Sequence, residues 1–406
     1  MSKKIYSILA VMVVAAMLLV ACQPAAQVTE APTEAPVTTE EPTEAPVMTE
    51  EPTEPVMTEE PTEPVMTEEP TEAATEPPAA ALVTPFPEDQ LSNFSACQVT
   101  DVGGIDDKSF NATAWQGVQD AVDEFAIQGD FLESQQQADY EENINAFLEA
   151  ECNLIITVGF LLGDATAAAA EANPDQPFTI VDFAYDPTIP NVLGQVFNTQ
   201  EAAFLAGYVA AGATETGTVA TFGGLQIPPV TVFMDGFVLG VGYYNEQNDA
   251  DVQVLGWDPE AQTGLFVGNF ESTDDGRTMG ESLMDEGADI IMPVAGPVGL
   301  GTAAAAQQRG DVLIIGVDTD WTQTAPEYTD LLLTSVLKNM AVTTFEAIES
   351  VIDGTFQGGV VVGTLENDGV GLAPFYELES RVPEQVRTDL DSIRQGIISG
   401  EISATP

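Results

Sequence analysis

Histidine is absent from the 406-residue chain, and only 9 lysine and arginine residues accompany 66 aspartate and glutamate residues. Without histidine the chain cannot form a Ser–His–Asp or Cys–His catalytic arrangement, and no serine stands in a nucleophile elbow. The formal net charge of −57 makes nucleic acid a poor partner, because phosphate binding needs clustered basic side chains. We therefore disfavour these enzyme classes and expect no nucleic acid partner.

Cysteine is also scarce, and the three residues stand at positions 22, 97 and 152. They have no metal-ligand spacing, so we expect neither a metal nor another cofactor. Cys97 and Cys152 each lie at the start of a predicted strand, and they can pair if those strands are neighbours in an oxidising compartment. Two buried free thiols fit the sequence equally well, because free cysteine is often a small core residue.

The N-terminus has the pattern of a lipoprotein signal peptide over residues 1–22. Lys3 and Lys4 precede an uncharged apolar run that ends in Leu-Val-Ala-Cys22, and this run is too short for a comfortable membrane span. We expect cleavage before Cys22 and a lipid anchor on that cysteine, which places the protein on the extracytoplasmic face of the cell membrane. An uncleaved anchor or an ordinary secretory signal would also place it outside the cytoplasm.

Residues 23–94 repeat glutamate, proline, threonine, valine and methionine, with no basic residue and almost no aromatic one. Frequent proline blocks helix and sheet, and repeated glutamate repels itself. Isolated valine and methionine give no apolar face on which solenoid units could stack. This composition predicts a disordered stalk between the lipid anchor and a folded domain over residues 95–406.

Short apolar, β-branched runs alternate with segments of helical periodicity throughout residues 95–406. This alternation is typical of an α/β protein with mostly parallel sheets flanked by helices. The predicted strands are Ala96–Thr100, Leu154–Val158, Thr179–Val181, Val219–Phe222, Val252–Leu255, Ile290–Val294 and Val312–Val317. Polar or glycine-rich groups follow these runs directly. Ligands of open α/β sheets bind outside the carboxyl ends of the strands, so these groups form the candidate site, although some serve as helix caps or turns.

The most informative of these groups is Thr100–Asn111, with the sequence Thr-Asp-Val-Gly-Gly-Ile-Asp-Asp-Lys-Ser-Phe-Asn. Gly103 and Gly104 permit a tight turn, and Ser109 is a candidate helix N-cap. The segment resembles the opening signature of the basic membrane protein (BMP) family. Further stretches resemble that family in its own order, namely Phe197–Gly207, Phe222–Pro229, Phe233–Phe237, Gly287–Gly296, Gly316–Asp320 and Leu333–Lys338.

The resemblance covers essentially all of residues 95–406 and implies a periplasmic-binding-protein type I fold, with two lobes joined by a multi-strand hinge. It implies a solute-binding protein that captures a nucleoside, a purine nucleoside in the better characterised members, for the permease and ATPase subunits of an ABC transporter. We expect a monomer. We place the first lobe at 95–213 plus 333–355, and the second at 214–332 plus the C-terminal tail.

Matched residue by residue, the resemblance implies a set of polar ligand contacts. Hydrogen bonds to the base are expected from Asp107, Asn111 and Asp182. Contacts to the ribose are expected from Gly296, Asp318 and Lys338. The chemistry suits a neutral polyol with a heterocycle, because carboxylates accept from amino and hydroxyl groups while lysine donates to ribose oxygens.

Three aromatic residues are candidates for stacking on the base: Phe110, Phe160 and Phe233. Aromatic residues at helix starts are more often core residues than stacking surfaces for a ligand, so which of the three stack on the base is open. Gly296 is followed by Pro-Val-Gly-Leu-Gly, where many family members have a more polar turn, so the local bonds to the sugar can differ. The stretch lacks the spacing and lysine of a phosphate loop, and the scarcity of cations favours nucleosides over nucleotides.

Residues 95–406 contain only two lysines, and both lie inside the matching motifs. For Lys338 we favour contact with the ligand, and we expect it to meet the ribose from the lobe opposite Asp318. For Lys108 we favour neutralisation of its neighbours Asp106 and Asp107.

Two rival functions remain compatible with the sequence. A hydrolase of glycosidic bonds could use the paired carboxylates Asp106 and Asp107, or Asp318 and Asp320. A surface receptor or sensor for a different small polar solute would keep the same fold and present the solute to a membrane partner. The anchor and stalk favour a binding protein over the hydrolase.

Overall fold

The computed structural model describes residues 83–406. The predicted signal peptide over 1–22, the lipid attachment at Cys22 and most of the predicted stalk therefore lie outside the described residues. The last part of that stalk, 83–94, belongs instead to the folded domain. The Phe86 amide donates to the Ile352 carbonyl at 2.8 Å, and the Phe86 and Phe94 rings pack edge to face with centroids 5.3 Å apart. These aromatic rings bury apolar area that the Glu/Pro/Thr repeat cannot offer.

The strands and helices alternate along the chain as the apolar runs predict. The strands are β1 Ser95–Thr100, β2 Gln128–Leu132, β3 Leu154–Val158, β4 Phe178–Val181, β5 Val192–Phe197, β6 Thr218–Gly223, β7 Gln253–Leu255, β8 Trp257–Asp258, β9 Thr263–Gly264, β10 Ile290–Val294, β11 Leu313–Asp318, β12 Leu332–Lys338, β13 Gly359–Gly363 and β14 Val370–Leu372. The α-helices are α1 Phe110–Phe125, α2 Asp139–Glu149, α3 Gly163–Ala172, α4 Thr199–Ala213, α5 Pro228–Asn248, α6 Thr273–Asp285, α7 Val298–Arg309, α8 Trp321–Thr324, α9 Met340–Ile352 and α10 Glu384–Ile398. Among them, no helix is both long and apolar enough to cross a membrane.

Two six-stranded sheets form the cores of two lobes. The first sheet has the order β13-β5-β4-β3-β1-β2 and is parallel throughout. The second has the order β14-β12-β11-β10-β6-β7 and is parallel except for the antiparallel pair β12 and β14. Central strands such as β3 and β11 are buried on both faces, which explains their continuous apolar sequence. The fold is the predicted periplasmic-binding-protein type I fold.

The lobe boundaries differ from the predicted ones in two places. β12 pairs with β11 in the second sheet, so residues 333–338 belong to the second lobe. α4 also belongs there, because it packs on α5 so closely that a Cβ on Gly207 would clash with the Phe237 carbonyl oxygen. The first lobe therefore comprises 83–198 and 339–363, and the second 199–338 and 370–406. The apolar pattern predicts strands and helices but does not assign each one to a sheet.

A disulfide joins Cys97 and Cys152 in the first lobe, with an S–S distance of 2.00 Å. Cys97 lies in β1, and Cys152 lies two residues before β3, which is the neighbouring strand. The sequence left a disulfide and two free thiols open, and the structure contains the disulfide.

Candidate ligand-binding site

A cavity lies between the lobes at the carboxyl ends of both sheets. All of the predicted ligand-binding residues line it: Asp107, Phe110, Asn111, Phe160, Asp182, Phe233, Gly296, Asp318 and Lys338. They come from strand ends, from the turns that follow, and from the first turns of α1 and α5, because each parallel strand brings its next residues to the same edge of its sheet. Gly296 has a φ of +53° in the turn between β10 and α7, a left-handed conformation that favours glycine.

The turn before α1 is organised by Asp107. Its carboxylate accepts hydrogen bonds from the backbone amides of Ser109 at 3.0 Å, Asn111 at 2.8 Å and Ala112 at 3.0 Å. It therefore satisfies the free amides at the start of the helix, the role that the sequence predicted for Ser109. The Ser109 hydroxyl instead donates to Asp318 Oδ2 at 2.9 Å, across the cleft between the lobes.

Asn111 and Asp101 form a second polar group on the first-lobe wall. Asn111 Nδ2 donates to Asp101 Oδ1 at 2.9 Å, and both side chains are buried. Asn111 Oδ1 has no hydrogen-bond partner among residues 83–406. A buried carbonyl oxygen without a partner carries a desolvation cost, which a ligand donor would remove.

Lys338 provides the positive charge of the cavity. Its Nζ lies 2.5 Å from Asp182 Oδ2, and the two side chains are 2% and 7% exposed. The same ammonium group lies over the rings of Phe110 at 5.0 Å and Phe233 at 5.7 Å. Cation–π contacts of this length add to the ion pair and hold the lysine in the cavity.

The predicted approach of Asp318 and Lys338 from opposite lobes is wrong. Asp318 pairs with Leu337 in the register of β11 and β12, so Asp318 and Lys338 end neighbouring strands of the second sheet. Asp182, at the end of β4, is the partner from the first lobe. The salt bridge between Lys338 and Asp182 therefore joins the two lobes inside the cavity.

Lys108 also differs from its predicted role. Its Nζ lies 3.1 Å from Glu327 Oε1 of the second lobe, and its ion-pair partner is therefore neither Asp106 nor Asp107. The backbone conformation at Lys108, with a φ of +56°, accompanies this placement of the side chain outside the cavity.

Carboxylates outnumber cations in this cavity, and burial changes their acidity. Desolvation raises the pKa of Asp101 well above its usual value and raises the pKa of Asp107 to about 6. Desolvation also raises the pKa values of Asp182 and Asp318, although the nearby Lys338 charge lowers both. Among the described residues, no group of carboxylates is arranged to hold a metal ion.

We predict that the raised pKa of Asp107 makes the free energy of unfolding decrease as the pH rises. The folded protein holds this proton more tightly than the unfolded chain, so the contribution is complete below about pH 4 and is lost as pH rises through about 6. In urea unfolding, the advantage of wild type over Asp107→Asn should shrink by about 2 to 3 kcal/mol between pH 4 and pH 7. Because both proteins carry the same acidic surface, its effect cancels in the difference between their free energies of unfolding. Parallel curves of unfolding free energy against pH would contradict the prediction.

Several lining residues are absent from the predicted ligand-binding set, and Asp101 and Phe270 are the carboxylate and the aromatic ring among them. Asp101 directly follows β1, so its position at a strand end was a usable signal. Phe270 lies in an irregular loop between β9 and α6, where no periodic pattern points to a site. Its backbone carbonyl approaches Gly103 of the first lobe, since a Cβ on Gly103 would lie 3.6 Å from that oxygen.

A cavity between two α/β lobes, with aromatic rings and carboxylates from both, defines the class of two-lobed solute-binding proteins. Residues 94–405 match the family model Bmp, described as ABC transporter substrate-binding protein PnrA-like. The chain therefore belongs to this family of ABC-transporter substrate-binding proteins, as the sequence resemblance predicted.

Individual relatives agree with this assignment. The CD4+ T-cell-stimulating antigen of Listeria monocytogenes is 30% identical over 76% of this chain and 87% of the relative. The ABC transporter nucleoside-binding protein BmpA of Lactococcus lactis subsp. cremoris is 29% identical over 77% of this chain and 89% of its own length. The crystal structure of an ABC transporter solute-binding protein from Aeropyrum pernix K1 has 28% identity and a TM-score of 0.70, covering 76% of this chain and 92% of that chain.

Proposed function

We propose that the protein binds a nucleoside, preferably a purine nucleoside, and delivers it to an ABC transporter. The observation that carries this proposal is the combination of aromatic rings, buried carboxylates and one lysine in a single cavity between the lobes. Rings offer stacking surfaces for a heterocycle, and carboxylates accept from amino and hydroxyl groups. The Lactococcus lactis relative is named as an ABC transporter nucleoside-binding protein, which supports the same ligand class.

We assign the base to the first-lobe wall. Asn111 Oδ1 is a buried acceptor without a partner, and Asp182 lies on the same wall. Asp107 already accepts three backbone hydrogen bonds, which leaves about one of the four acceptor positions of a carboxylate for a ligand. Its main role in this proposal is therefore to fix the start of α1, and Asp101 is the more available carboxylate.

We assign the ribose to the second-lobe wall, where Gly296, Asp318 and Lys338 lie together. Asp318 can accept from ribose hydroxyl groups, and Lys338 can donate to ribose oxygens. Four aromatic rings line the cavity, and two of them can stack on the base: Phe110, Phe160, Phe233 and Phe270.

In this proposal the protein is a monomeric lipoprotein anchored through Cys22 on the extracytoplasmic face of the membrane. It would pass its ligand to the permease and ATPase subunits of the transporter. The alternative is a surface receptor or sensor that presents a different small polar solute to another membrane protein, and nucleoside-dependent ATPase activity of the reconstituted transporter distinguishes the two.

The geometry offers little support for a glycosidic hydrolase. Asp106 is exposed and does not line the cavity. Asp320 is committed to the Thr322 amide at 3.0 Å and the Tyr376 hydroxyl at 2.5 Å. In neither of the two carboxylate pairs, therefore, are both members available to a substrate in the cavity. Release of free base from incubated nucleosides would instead support the hydrolase.

We predict that purine nucleosides raise the melting temperature of the protein, because a ligand held between closed lobes binds only the folded state. A concentration of about 100 Kd should stabilise it by about 2.7 kcal/mol. Thermal melts with inosine, guanosine, adenosine and pyrimidine nucleosides test this, and the variant Asp318→Ala should reduce the shift. A response to a sugar or an amino acid alone would show that the ligand class is wrong.

A further inference from the structure

Two ion pairs join the lobes within residues 83–406, and they differ in location. The pair of Lys338 and Asp182 is buried in the cavity. The pair of Lys108 and Glu327 spans 3.1 Å, and its side chains are 44% and 48% exposed. Lys108 lies in the turn before α1, and Glu327 lies in the short 3-10 turn Pro326–Leu331 of the second lobe. This outer pair therefore connects the lobes without lining the cavity.

The charge of Lys108 is exceptional for its lobe. No other lysine or arginine occurs in 83–198 or 339–363, so the first lobe is otherwise purely acidic in its charged side chains. The chain as a whole carries a formal charge of −57, and bringing two acidic lobes together costs electrostatic repulsion. The single cation of the first lobe lies where it opposes that repulsion directly.

The backbone connects the outer pair to the cavity wall. Lys108 holds a φ of +56°, a conformation that costs free energy for a residue other than glycine and persists where surrounding contacts fix it. The next residue, Ser109, donates to Asp318 of the second lobe inside the cleft at 2.9 Å. Lys108 thus contacts the second lobe at the protein surface, and the next residue, Ser109, contacts it inside the cleft.

We propose that Lys108 and Glu327 form a closure latch, which stabilises the closed arrangement of the lobes and lengthens the residence of the bound ligand. The latch acts on closure itself, and only its effect on residence time rests on the proposed function. An exposed ion pair contributes modestly, so we expect each single charge reversal to lower the closed-to-open ratio roughly two- to fivefold.

Charge reversal in the full-length protein tests the latch. One spin label on each lobe, introduced through Glu124→Cys and Glu286→Cys, reports the interlobe distance by pulsed electron resonance; both positions are exposed. Lys108→Glu and Glu327→Lys should each shift the distribution towards longer distances, and the double reversal should return it towards wild type. The shift should shrink in about 1 M salt, because salt screens exposed charges.

Matched controls reverse one basic and one acidic side chain whose ion-pair partners lie in the same lobe. Arg309→Glu and Glu281→Lys break ion pairs that lie wholly in the second lobe, and they should leave the distance distribution unchanged. Single reversals without a shift, or a double reversal that fails to restore the distribution, overturn the latch. In stopped-flow release of the nucleoside, the single reversals should release it roughly two- to fivefold faster. If no nucleoside binds, the proposed ligand class fails while the distance measurement still decides the latch.

Discussion

Replacement of Lys338 by methionine is expected to weaken ligand binding by about 3 to 5 kcal/mol, roughly a hundredfold to a few thousandfold in Kd. The substitution keeps much of the side-chain volume but leaves the buried carboxylate of Asp182 without its partner at 2.5 Å. Closing the lobes would then desolvate an unpaired charge. Calorimetry with the nucleoside identified by thermal melts measures the loss.

The double variant Lys338→Met/Asp182→Asn provides the matched control. Removing both charges avoids the unpaired carboxylate, so this variant should bind more tightly than Lys338→Met alone, although it lacks the direct contacts to the ligand. Binding by Lys338→Met should also improve at lower pH, because desolvation raises the pKa of Asp182 and protonation removes its charge. Wild-type affinity in Lys338→Met would show that neither the ion pair with Asp182 nor a direct contact from Lys338 contributes to ligand binding.

Loss of the disulfide between Cys97 and Cys152 is expected to lower the free energy of unfolding by about 4 kcal/mol. The bond closes a loop with a sequence separation of 55 residues, and a loop of this length strongly restricts the unfolded chain. Urea unfolding of Cys97→Ser/Cys152→Ser against wild type measures the effect.

Reductant supplies an independent control for the disulfide. It should lower the unfolding midpoint of the wild type and leave the double serine variant unchanged, because the third cysteine of the chain is Cys22. Unequal slopes against urea would indicate that the unfolded state has changed in compactness, as expected when a cross-link is removed. Equal midpoints for all samples would show that the bond contributes nothing to stability.

The sequence predicted the fold class because the central strands are short, apolar and β-branched, and all seven predicted strands overlap strands of the structure. β5 was missed because Gly194 and Gln195 interrupt its apolar pattern. Gln195 is nevertheless fully buried, and its amide donates to Thr179 Oγ1 at 2.8 Å. A polar side chain satisfied by a neighbouring strand is indistinguishable, in sequence alone, from one that faces solvent.

The candidate site was predicted with similar limits. Strand ends indicated the region of the site, because parallel strands bring their carboxyl ends to one edge, and the resemblance to the BMP family then singled out the individual polar residues. The lobe of Lys338 was misassigned, since that assignment requires the pairing of β12 with β11. The partners of Lys108 and Ser109 also lie more than 200 positions away in sequence, and no local pattern specifies such contacts.

The interleaving of the lobes has a consequence for how the chain can be cut. The backbone passes from one sheet to the other after β5, after β12 and again between β13 and β14. A protease that severs any one of these passages leaves two covalent links, so the nicked protein should remain a single particle until it is denatured. Neither lobe is one uninterrupted stretch of chain, and a truncation from either terminus therefore cannot remove one lobe and leave the other whole.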